Sequence, residues 1–157
     1  KLMSTYCASR ASRTDCMLAT DFHRIDYSKA SASYKDTRIN SVFSMAPAVG
    51  PAITQDSLNK ITLPVFVIAS TDDEVVNPKH SAKWYADNIT NSDLFLIPSG
   101  GHFVFLECSV ITHVVDWFNQ QLDLCGTKFK ADREEIRSLV SDKAVHFFAE
   151  HLAAISP

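Results

Sequence analysis

The chain has 157 residues, 46% of them apolar and 21% charged, with a net charge of −3, which is the balance of one globular domain rather than of a disordered or fibrous segment. No basic stripe offers a surface for nucleic acid and no acidic tail is present. No apolar run approaches the roughly 20 residues that span a bilayer, and residues 1–13 lack the apolar core of a signal peptide. Composition leaves the compartment open, cytoplasmic or exported.

Residues 1–37 are irregular, rich in Ser, Arg, Lys, Asp and Tyr, with one short helix expected at Lys1–Cys7 and one helical turn near Tyr27–Ser33. The segment reads either as a lid over a site or as a remnant parted from its neighbours. Cys7 and Cys16 flank a loop-like stretch, compatible with a disulfide in an exported protein, and their spacing matches no common zinc pattern. No metal or cofactor is expected.

Residues 38–157 form the regular part. Arg38–Ala46 reads as a strand ended by Pro47, and Leu58–Ile61 as a short helical turn. Pro64-Val65-Phe66-Val67-Ile68-Ala69 is a continuous apolar run rich in β-branched residues, the mark of a strand buried on both faces in a parallel sheet. An acidic loop, Asp72-Asp73-Glu74, follows it. His80–Ile89 is expected as a helix and Asp93–Pro98 as a second buried strand, which leads into the tight loop Ser99-Gly100-Gly101-His102-Phe103. A helix over Ser109–Leu122 stops at Gly126, and Asp132 caps a final helix, Arg133–Ala154, whose apolar positions recur near every 3.6 residues. Cys108 and Cys125 sit in helical patterns and read as buried thiols. Trp84, Trp117, Phe118, Phe147 and Phe148 read as core. Strands alternating with helices give an α/β chain with a mostly parallel sheet and helices on both faces.

Sites in open α/β sheets form at the carboxyl ends of strands. Asp72–Glu74 and His102 both follow buried strands and would meet at one sheet edge. A carboxylate bonded to one imidazole nitrogen fixes the tautomer and stabilises the imidazolium that forms when the other nitrogen takes a proton from a nucleophile. Gly100 and Gly101 give the backbone freedom to turn the histidine inward, with Phe103 and Phe105 beneath it. His23, His80, His113, His146 and His151 sit in no comparable loop and read as ordinary surface or core residues.

Leu63–Val76 resembles the penultimate strand and acid turn of α/β-hydrolases, and Ser99–Phe103 resembles their histidine loop. Arg38–Pro47 resembles the strand that follows their nucleophile-bearing unit, so the likeness spans about residues 36–118. Within that superfamily the chain is most similar to predicted dienelactone hydrolases and platelet-activating-factor-acetylhydrolase-like esterases. The resemblance implies that Asp73 is the triad acid and His102 the triad histidine, with Asp72 a turn residue. It also implies a Gly-x-Ser-x-Gly elbow, and no such motif occurs in the sequence. The chain then corresponds to the C-terminal portion of a hydrolase sheet, the nucleophile elbow lying before Lys1. The expected function is carboxyl-ester or lactone hydrolysis in the intact protein and none by this chain alone. Ser44, inside a strand rather than on a glycine turn, is a weak substitute nucleophile, and Ser70 and Ser99 read as loop residues bonding their own backbone.

Two other readings follow from the same residues. One is a non-catalytic half-domain that self-associates or takes a companion chain through the exposed edge of strand 38–46. The other is a receiver-like or nucleotide-binding α/β domain with Mg²⁺ at Asp72–Glu74, which no glycine-rich phosphate loop supports.

Overall fold

The computed structural model describes Ser28 and residues 32–118, 123–125 and 128–152. The readings at Lys1–Cys7, Cys16 and Phe118 (its side chain) lie outside the described residues, as do the last residues expected of the two C-terminal helices.

The described elements run β1 (Val42–Met45), α1 (Gln55–Leu58), β2 (Val65–Ser70), α2 (Ala82–Asn88), β3 (Ser92–Ile97), α3 (Val110–Phe118) and α4 (Arg133–Leu152). Two 3₁₀ turns, Gly50–Ala52 and His102–Phe105, punctuate the loops. The strands form one parallel sheet in the order β1-β2-β3, with Val42 opposite Val65 and Val65 opposite Ser92. This is a small parallel α/β layer, as the alternation of apolar runs and helical patterns requires.

The central strand shows why its sequence is apolar throughout. Alternate residues of a strand face opposite sides. Val65, Val67 and Ala69 pack with Leu58 of α1, Ala82 of α2 and Ile89, while Ile68 packs with Ile97, Val104 and the α4 residues Ile136 and Val140. Helices on both faces exclude water from both rows of side chains, so no polar alternation survives. Phe66 points to the α4 side, where its ring stacks on Phe43 at 5.0 Å and meets Phe147 edge-on at 5.8 Å.

The helix ends follow local chemistry. Asp132 Oδ1 accepts the Glu134 and Glu135 amides at 3.0 and 3.1 Å, satisfying N–H groups that have no partner inside the helix. Ser109 and Thr112 exchange bonds at the start of α3, with the Ser109 amide donating to Thr112 Oγ1 at 2.7 Å.

Three expectations are corrected. The first strand is shorter than Arg38–Ala46, because Asp36 and Arg38 engage each other through a bidentate ion pair in a local turn. Trp117 is 71% exposed instead of lying in the core; Val110 and Val114 of α3 are exposed with it. Cys108 and Cys125 are not thiols but a disulfide across a sequence separation of 17, because Cys125 lies against the residues just before α3, with the two Cα atoms 5.3 Å apart.

Candidate active site

β2 and β3 run parallel, so the loops that leave their carboxyl ends emerge side by side. The first carries Asp73 and the second His102. Asp73 Oδ2 lies 2.8 Å from His102 Nδ1. An ionised carboxylate only accepts, so Nδ1 carries the proton in this bond. Nε2 is left as the nitrogen able to exchange a proton with a reacting group.

The carboxylate is held from behind as well. Its Oδ1 accepts the Val75 amide at 3.0 Å and the Val76 amide at 2.7 Å. The Asp73 side chain is 1% exposed and that of His102 is 20% exposed. The acid is therefore enclosed and fixed, while the imidazole keeps a path to solvent. Charge-assisted bonds of this kind are short and directional, and each one restricts rotation of the carboxylate.

Asp72 takes none of this role. It is exposed, its amide donates to Ser70 Oγ at 3.2 Å, and Thr71 donates to its carboxylate at 3.4 Å. Asp72, expected as the turn residue, leaves the bonding of the turn's amides to the Asp73 carboxylate. Ser70, expected in the loop, is instead the last residue of β2, fully buried, and its hydroxyl accepts the Asp72 amide.

The histidine loop depends on its glycines. Gly100 has φ +114° and Gly101 φ +58°, a region that side chains disfavour. A Cβ on Gly101 would lie 2.5 Å from the Phe129 ring and 2.9 Å from Glu74 Oε2. The chain then makes the turn His102–Phe105, in which Phe103 meets the imidazole edge-on at 4.8 Å. Val104, fully buried, anchors the turn in the core beside Ile68 and Ile97.

Two residues that hold this loop were not singled out by sequence reasoning. Glu74 Oε2 accepts the His102 amide at 3.2 Å, tying the histidine backbone to the acid loop. Arg133 donates to three carbonyls, Phe103 at 2.9 Å, Leu106 at 3.0 Å and Leu124 at 2.8 Å. A signal for Arg133 existed: a cation in the first turn of a helix opposes the helix dipole and needs a compensating reason to be there.

Ser44 lies within β1 opposite Val67 and lines a cleft of about 730 Å³ with Val42, Ile61, Leu63 and Tyr85. A second cleft of about 510 Å³ lies between α4 and the strand starts, lined by Asp93, His146 and His151 among others. Neither cleft is lined by Asp73 or His102.

The class that fold and site define is a parallel α/β layer with a buried carboxylate–histidine pair at the carboxyl edge of its sheet. The chain matches no protein-family model and no curated protein.

Proposed function

We propose that the chain carries the acid and the histidine of an α/β-hydrolase-type carboxyl-ester or lactone hydrolase, serving a nucleophile supplied from outside residues 1–157. One observation carries the reading: a 1%-exposed carboxylate bonded at 2.8 Å to Nδ1 of an imidazole whose side chain is 20% exposed, at the edge of a parallel sheet where such chemistry is done. His102 acts first as general base towards the nucleophile and then as general acid towards the leaving alcohol. Asp73 holds the tautomer and stabilises the transient imidazolium.

Without the nucleophile and its oxyanion donors most of the rate is forfeited, so the chain alone is inactive. The test is hydrolysis of a short-chain aryl ester, first by the chain alone and then by the chain joined to, or mixed with, a segment bearing a Gly-x-Ser-x-Gly elbow. The expected outcome is turnover only in the second case, abolished by His102→Ala and reduced about 10⁴-fold by Asp73→Asn. Turnover by the chain alone that Ser44→Ala or Ser99→Ala abolishes overturns the assignment of the nucleophile. Unchanged turnover in His102→Ala overturns the hydrolase reading itself.

A second reading is favoured by the sheet. Among the described residues β1 pairs on one side only, with β2, and its other edge meets no strand. Such an edge invites a strand from another chain, either a second copy or a companion. Sedimentation equilibrium tests it: association that rises with concentration supports the reading, and a monomer across the range opposes it.

A further inference from the structure

Cys108, His113 and Cys125 bring three donor atoms within 4.8 Å of one another, the one such group among the described residues. The two sulfurs are joined as a disulfide, and His113 Nε2 stands 3.3 Å from Cys108 Sγ. A disulfide sulfur is a poor partner for an imidazole. A thiolate, or a metal shared with a thiolate, is a much better one. The contact is present with the disulfide closed, and reduction would turn the same sulfur into a stronger partner for His113.

We propose that Cys108, Cys125 and His113 form a redox-gated site for a thiophilic divalent cation of the zinc class. The site is closed as the disulfide and opened by a dithiol reductant. Opening transfers two electrons and two protons: the S–S bond breaks, Cys108 and Cys125 become thiols, and the reductant leaves as its cyclic disulfide. The cation then displaces both thiol protons and binds two thiolates and the neutral imidazole Nε2. Two thiolates balance the dication, and this ligand set is one that zinc accepts. His113 is exposed and Cys108 half-buried, so a fourth position for water faces solvent.

The ligands stay together without the cross-link. The Ser109–Thr112 bonds fix the first turn of α3, and the His113 amide donates to the Ser109 carbonyl at 3.0 Å, which places His113 over Cys108. Arg133 holds Leu106 on one side and Leu124 on the other, so the segments before Cys108 and before Cys125 share one guanidinium. Breaking the disulfide leaves these contacts in place. The sulfurs need only part to the spacing of a tetrahedral site, about 3.8 Å for metal–sulfur bonds near 2.3 Å.

The test uses the full chain with Cys7→Ser and Cys16→Ser, so that one cysteine pair remains. Co²⁺ is titrated into the oxidised protein, and into protein reduced by a dithiol and freed of it under anaerobic conditions. The expected result is one equivalent of Co²⁺ bound only after reduction, with sulfur-to-metal charge-transfer absorption that Zn²⁺ abolishes by displacement. Cys125→Ser removes that absorption, and His113→Ala weakens affinity about tenfold or more. Circular dichroism reports the fold in parallel. The proposal is overturned if the reduced, folded chain gives no charge-transfer absorption, if His113→Ala binds as tightly as the parent, or if reduction alone unfolds the chain.

Discussion

Asp73 divides its two carboxylate oxygens between the histidine and its own loop, with Oδ2 meeting His102 Nδ1 at 2.8 Å and Oδ1 accepting the Val75 and Val76 amides. The residue that orients the histidine is therefore also the one that folds the acid turn. Replacing it disturbs the acid turn and the contact with the histidine together. Asp73→Ala leaves the buried Val76 amide unpaired, and we expect a loss of about 3 kcal/mol in urea unfolding. Asp73→Asn keeps an acceptor for the amides and should cost less stability. A loss in Asp73→Ala below about 0.5 kcal/mol, the range of ordinary surface substitutions, would contradict this account.

Gly101 is required by its backbone and by its neighbours. Gly101→Ala should destabilise by about 2 kcal/mol, through a strained positive φ and the clash with Phe129. Part of that loss is steric. The double variant Gly101→Ala/Phe129→Ala should therefore lose less than the sum of the single losses, and strict additivity in a double-mutant cycle would show that the two do not meet.

Arg133 acts on the histidine turn from a distance in sequence. Arg133→Ala should cost about 2 kcal/mol by leaving three carbonyls without their charged donor. It should also speed amide hydrogen exchange across residues 102–106. Arg133→Lys should rescue little, because an ammonium cannot spread its donors over three carbonyls as the planar guanidinium does. Full rescue by lysine would show that charge alone is at work.

Ile68 has no exposed surface and sits at the centre of the α4-side core. Ile68→Ala should cost about 3 kcal/mol, the lost transfer energy plus that of an incompletely collapsed cavity. The same truncation at Leu139, which is 37% exposed, should cost far less. Equal losses at the two positions would contradict the placement of α4 against the sheet.

The disulfide closes a loop across a separation of 17 residues and should contribute about 3 kcal/mol by restricting the unfolded chain. Comparing the unfolding of Cys108→Ser/Cys125→Ser with that of the parent measures it. Because the Arg133 contacts do not depend on the cross-link, the native far-ultraviolet spectrum should survive the change.

The sequence by itself determined the elements that burial and local chemistry dictate. The unbroken apolar run Val65–Ala69 admits only a strand covered on both faces, and Asp132 admits a helix start directly after it. It also brought Asp73 and His102 to one sheet edge in expectation, because each follows a strand of the same parallel sheet. Tertiary structure alone decided what depends on loops that meet across the chain. The pairing of Cys108 with Cys125, the reach of Arg133 to three carbonyls and the grip of Glu74 on the His102 amide join residues 9–30 positions apart. Periodicity reports which face of an element is apolar, and capping reports where it ends. Neither carries information about which loops come into contact, since that is set by the packing of the layers between them.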